Sequence, residues 1–163
     1  MEGCDIKQKY SMGNTALGWA ARNGHERVVE LLLSREDIDP NKTGEEGRTP
    51  ISWAAENGHE GVVEILLRRD DVDPDKPDTS GRTPLWWAVE NWNKGVVKML
   101  LETGNVNPDK PDRSGLTPLW LAASSGRKEI ANMIFDWKLT HIHQMRAAKN
   151  LSGVAFGVGK RCS

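Results

Sequence analysis

Three stretches of this chain carry side chains whose types and spacing could do chemistry. The first, Asp71-Val72-Asp73-Pro74-Asp75, puts carboxylates on alternate residues, as the opening of a calcium loop does. Such a loop also needs a turn glycine and a closing bidentate Glu, and Lys76 and Arg82 stand in those places, so a solvated turn is expected instead. The second is His141 with His143; two imidazoles without further ligands at a recognised spacing make a poor metal site. The third, Gly153 to Gly159, lacks the Lys-Ser/Thr ending of a phosphate loop and the strand-turn-helix setting of a dinucleotide site. His25 and His59 recur 34 residues apart in matching surroundings, so they read as helix-start residues rather than as a catalytic pair. No metal, cofactor or enzymatic activity is expected from these groups.

What remains is aromatic. Seven tryptophans occur, and five of them, Trp19, Trp53, Trp86, Trp87 and Trp120, follow a recurring phrase: Thr15-Ala16-Leu17, Thr49-Pro50-Ile51, Thr83-Pro84-Leu85 and Thr117-Pro118-Leu119. That phrase defines the elements that must position them. It returns every 34 residues, a period that means stacked supersecondary units, each too small to bury its own apolar face. Gly13, Gly47, Gly81 and Gly115 precede each Thr by two residues, where a tight turn needs positive φ. The Thr hydroxyl then caps a helix that begins with Pro in three of the units. This first helix is short and stops at Asn23-Gly24, Asn57-Gly58 and Ser125-Gly126, where Gly supplies a left-handed end. A second helix follows, with Val28-Val29 and Leu31-Leu32-Leu33 echoed by Val62-Val63 with Ile65-Leu66-Leu67 and by Val96-Val97 with Met99-Leu100-Leu101; its apolar face must be core. Asp37-Ile38-Asp39-Pro40 and its counterparts at 71–74 and 105–108 make Pro-stiffened connections to the next unit.

Helix, tight turn, helix and a projecting β-turn finger resemble the ankyrin repeat. Gly81-Arg82-Thr83-Pro84-Leu85, then Ala88, Val96-Val97 and Leu100-Leu101, follow that family's pattern, and the likeness extends over residues 10–140. The period is one residue longer than the family's usual 33, the addition falling in the Pro-rich finger, as in the fungal-type arrays that the chain also resembles. The family's His after Thr-Pro-Leu is replaced by Gly18, Ser52, Trp86 and Trp120, which puts that imidazole's inter-repeat hydrogen bonds in question. The resemblance implies an all-α ankyrin-like solenoid of stacked helix-turn-helix repeats with short β-turn fingers, acting as a non-catalytic protein-protein interaction module.

The expected division is an extension over 1–12, four repeats over 13–46, 47–80, 81–114 and 115–140, and a candidate capping helix with a flexible basic tail over 141–163. Residues 1–126 hold 15 basic and 21 acidic side chains, and 127–163 hold 7 and 2. The net charge of -1 offers no global attraction to nucleic acid or to anionic membranes. Cys4 and Cys162 lie near opposite ends, which suggests no disulfide framework and fits a reducing compartment. No apolar run approaches the ~18 residues of a membrane span and no signal peptide is evident, so a cytoplasmic or nuclear protein is expected. The first residues are too few for a full helical cap, and the repeat pattern is lost at Trp137-Lys138-Leu139. Uncapped ends of this kind are expected to continue into a longer array or to self-associate.

The expected contact surface follows from repeat position. Trp19, Trp53 and Trp87 share one position. At about 100° per residue they fall opposite the Leu17, Ala20 and Ala21 stripe, on the side that resembles the concave face of ankyrin arrays. Two readings stay open for these rings: packing beneath the fingers to seal the core between repeats, or a recognition floor. Repeat three also carries Trp92 where other repeats have Gly24, Gly58 and Gly126; either Trp92 turns left-handed or Asn91 or Asn93 does so. The candidate contact set is Trp19, Arg22, Arg48, Trp53, Glu56, Arg82, Trp86, Trp87, Glu90, Asn91, Trp92, Leu116 and Ser124, with aromatic anchors for affinity and an Arg/Glu pattern for specificity. A protein is the expected partner. The alternative is an apolar or cationic small molecule stacked in a Trp-lined groove, in an enzyme or its accessory subunit.

Overall fold

The structure, a computed structural model, describes residues 15–155, with side chains placed as far as Ile142. The extension over 1–12, the first turn glycine Gly13 and the tail beyond 155 lie outside the described residues. Within them, eight α-helices and no strands form four pairs: α1 (Ala16–Arg22) with α2 (Glu26–Leu33), α3 (Pro50–Asn57) with α4 (Glu60–Leu67), α5 (Pro84–Glu90) with α6 (Lys94–Glu102), and α7 (Pro118–Ser124) with α8 (Lys128–Ala155). First helices stack on first helices, and second helices on second helices, along the whole array. This is a right-angled exchange of short-range contacts along a solenoid, with the core shared between neighbours: Val29, Val62, Val63, Leu66, Leu85, Val89, Val96, Leu100, Ile130 and Ile134 are all fully buried.

Local chemistry sets the ends of each first helix. Thr15, Thr49, Thr83 and Thr117 are extended, and each side chain accepts a hydrogen bond from the amide three residues on, at 3.0 to 3.3 Å. Such caps contribute about 1 kcal/mol each. At the other end Gly24 and Gly58 sit at φ 71° and 72°. In repeat three it is Trp92 that turns left-handed, at φ 63°, while Asn91 and Asn93 keep φ at -100° and -79°.

The fingers are hydrogen-bonded to one another. Asp39, Asp73 and Asn107 each fold back on the amide two residues ahead, at 2.8, 2.9 and 3.0 Å, the Asx turn such residues favour. Asn41 Oδ1 accepts from the Asp73 amide at 2.8 Å, and Lys76 and Lys110 donate to the backbone oxygens of Asn41 and Asp75 in the preceding finger. The carboxylates of the calcium-like stretch are therefore engaged in turns and in an ion pair, Asp75 with Lys110 at 2.9 Å. At the fingertips, Thr79 N–H donates to Glu46 O and Arg113 N–H to Ser80 O, both at 2.9 Å.

The last pair departs from the pattern. The other second helices have 8 or 9 residues, whereas α8 has 28 and ends at Ala155, inside the glycine-rich stretch. Trp137 Nε1 donates to Leu101 O at 2.7 Å, which repeats at the end of the array what Arg69 does to Leu33 O at 2.7 Å. No finger follows within the described residues, and Phe135, Leu139 and Ile142 are exposed on α8.

Candidate functional site

Guanidinium and indole groups alternate through the middle of the array. Arg22 lies 4.6 Å from the Trp53 ring centroid and Arg48 lies 4.4 Å from it. Arg48 is in turn 3.7 Å from Trp87, and Arg82 is 5.1 Å from Trp87 and 4.2 Å from Trp86. The repeat geometry produces this column: the first helices carry the rings and each finger swings one Arg in front of them. Guanidinium is planar and weakly hydrated, so it stacks on an aromatic face where an ammonium would not. Desolvated pairs of this kind contribute about 2 kcal/mol.

Carboxylates hold the column in register. Arg48 donates to Glu56 at 2.7 Å, pairs with Glu46 at 2.9 Å, and has Asp78 3.9 Å from its Nε. Asp78 accepts from Trp87 Nε1 at 3.0 Å and from the amides of Ser80 and Arg82 at 2.8 and 2.9 Å. Asp112 repeats the motif one unit on, accepting from the Ser114 and Leu116 amides at 2.9 and 3.0 Å, with Arg82 Nε at 3.8 Å. These two buried Asp residues escaped the sequence reading. The available signal was an Asp four residues before the finger Arg or Leu, the spacing of a side chain that folds over its own turn. The indole N–H groups of Trp53 and Trp86 have no acceptor in the described protein.

The structure thus divides the expected contact set. Trp53, Trp86, Trp87 and Arg48 are buried, so in this arrangement they support a surface rather than form one. Glu56, Arg82, Glu90 and Leu116 are half-buried, and Arg22, Asn91 and Ser124 are exposed, as are Trp19 at 52% and Trp92 at 54%. Trp120, absent from that set, is 53% exposed. Sequence neighbours explain the split. Where the finger carries Arg48 or Arg82 the ring behind it is covered; the equivalent residue is Asn14 in repeat one and Leu116 in repeat four. Trp19 keeps only a tilted contact with His25, 5.6 Å between centroids.

A second set of residues stitches the repeats along the turns between first and second helices. His59 Nε2 lies 3.0 Å from Arg22 O, Asn93 Nδ2 donates to Ala55 O and Glu56 O at 2.8 and 2.9 Å, and Arg127 donates to Val89 O and Glu90 O. All three stand at the same repeat position and take up carbonyls that a helix end leaves unsatisfied. They supply inter-repeat bonds from a place other than the missing family His. The Arg127 guanidinium also lies 4.6 Å from the Trp92 ring. Burial pushes its pKa below the ordinary arginine value, and the Glu90 carboxylate offsets part of that shift.

A cavity of about 320 Å³ opens beside Thr15, Leu17, Asp37, Ile38 and Lys42, and no tryptophan lines it. Among the described residues no helix is long and apolar enough to cross a membrane. Comparison with curated proteins gave no significant match. The family model for ankyrin repeats in three copies matches residues 1–78 and again 70–144, and proteins of this family are in general protein-interaction modules without catalysis. The helix pairs, their caps and the fingers between them account for that match residue by residue, and the chain belongs to the ankyrin-repeat family.

Proposed function

We propose that the chain binds a protein partner through the exposed side of its first helices and the turns that follow them. The observation that carries this reading is the contrast in tryptophan placement. Trp53, Trp86 and Trp87 are stacked out of solvent, while Trp19 and Trp92 stand about half exposed at the edges of that same layer. A fixed ring on a rigid support makes contacts with little ordering cost, and Trp and Arg dominate interface energetics for that reason. In this reading Trp19, Arg22, Asn91, Trp92 and Ser124 touch the partner, with Glu56, Arg82, Glu90 and Leu116 at the margin. The buried Arg48, Trp53, Trp86 and Trp87 act as positioning residues beneath them.

The test is affinity capture from cell extract with crosslinking, run side by side on the unchanged chain and on Trp19→Ala and Trp92→Gly variants. Both variants should keep the helical circular dichroism of the parent. A captured protein should be lost, or its affinity should fall by about 2 kcal/mol, the hot-spot threshold. Capture that is indifferent to both changes would move the contact surface elsewhere.

A further inference from the structure

Trp92 occupies a position where a side chain brings strain and little burial. Its φ of 63° costs a residue with a Cβ about 1–2 kcal/mol, and 54% of its surface stays in solvent. The two equivalent glycines show why the position is normally empty: a Cβ on Gly24 would meet the His59 ring at 2.7 Å, and one on Gly58 would meet Asn93 Oδ1 at 2.7 Å. Trp92 escapes that collision because the partner residue one repeat on is Arg127. This long side chain still reaches the Val89 and Glu90 carbonyls while its guanidinium lies against the indole. The stitch between repeats does not need the ring, since His59 and Asn93 make the same stitch over glycine. An exposed cation-aromatic contact returns about 0.5–1 kcal/mol, no more than the strain.

The array's own interior shows what such a ring accepts. Trp53 and Trp87 each carry two guanidinium groups within 3.7 to 5.1 Å of the centroid, and a carboxylate from the Glu56 position neutralises the second one at 2.7 Å. Around Trp92 the same parts are present with one missing. There is one guanidinium, from Arg127. There is the equivalent carboxylate, Glu90, whose side chain makes no ion pair among the described residues. The second cation is absent. Resting on the protein-binding reading above, we infer that the open side of the Trp92 ring receives an arginine side chain of the partner protein, with Glu90 as its counter-ion. Arginine fits better than lysine because a planar, weakly hydrated cation keeps contact with a half-exposed ring that an ammonium would leave for water.

The probe is an acetylated Gly-Arg-Gly amide, with Gly-citrulline-Gly as its neutral isostere and Gly-Lys-Gly as the compact cation. Each is titrated into the full chain while the indole N–H of Trp92 and the amides of Glu90, Asn91 and Asn93 are followed by NMR. The arginine peptide should shift these signals saturably, at least fivefold more tightly than either control. Glu90→Gln should weaken it about fivefold, and Trp92→Gly should abolish it with the remaining spectrum preserved. Equal responses to arginine and citrulline, or a response that survives Trp92→Gly, would overturn the proposal. If the arginine peptide moves nothing while extract still yields a captured protein, this inference falls and the protein-binding reading stands. An arginine response with no protein captured supports the site and removes the wider reading instead.

Discussion

Trp87 and Trp92 lie in one repeat, five residues apart, and their surroundings are opposite. Trp87 is 7% exposed, hydrogen-bonded to Asp78 and held between Arg48 and Arg82. Trp92 sits on a left-handed turn with a single Arg beside it. Both rings meet guanidinium, so residue type does not separate them. The difference is whether a finger from the same repeat and a finger from its neighbour both reach the ring. Burial in this array is a property of pairs of repeats, not of one helix face.

The largest effect that could break this comparison is in the stability of the two deletions. Trp87→Ala should cost about 3–5 kcal/mol through lost burial and a residual cavity, read from urea unfolding followed by circular dichroism. A loss under about 1 kcal/mol would place Trp87 with the surface rings, where substitutions are mostly that mild. Next comes the cation between the two rings. Arg48→Ala leaves Asp78 and Glu56 without their guanidinium and should cost about 3 kcal/mol, because a buried carboxylate stripped of its partner is strongly destabilising. In a double-mutant cycle with Trp87→Ala the two losses should sum to less than their separate values. The smallest effect is expected at the turn. Trp92→Gly exchanges relief of strain for a lost cation-aromatic contact and a looser unfolded chain, so its stability should stay within about 1 kcal/mol of the parent. Acrylamide quenching of single-Trp variants sharpens the contrast, with position 92 quenched almost as in the unfolded chain and position 87 protected.

Much of the fold was legible because it is written in local chemistry. Thr before Pro starts a helix, Gly stops it, and the recurrence of both at one period forces a stack. The ladder of Trp19, Trp53 and Trp87 was legible as a position, but the sequence reading left its rings between core and contact. Their exposure depends on a residue from another part of the period, and only three-dimensional stacking brings Arg48 between rings that are 34 residues apart. One trace of this was visible: Leu116 replaces the finger Arg in the same repeat in which Leu121 replaces the ladder Trp. Arg48, expected at the contact surface from its place on the finger, is inside for the same reason. Trp92 was legible as an oddity, because the Gly it replaces has a clear backbone task. That Arg127 would be the residue to accommodate it could not be read from a single repeat.

The stitches made by His59, Asn93 and Arg127 give the array a direction. Each donor belongs to the later repeat and each acceptor to the earlier one, so every first helix relies on its successor to close its last turn. Peeling away α7 and α8 would strip Arg127 from the end of α5 and expose carbonyls there. Peeling away α1 and α2 would leave only the His59 ring to find water. In a structure whose cooperativity passes between nearest neighbours, opening should therefore advance more readily from the α8 side inward than from α1. Amide exchange along the chain would be graded accordingly, slowest in repeat two and quickening toward α7.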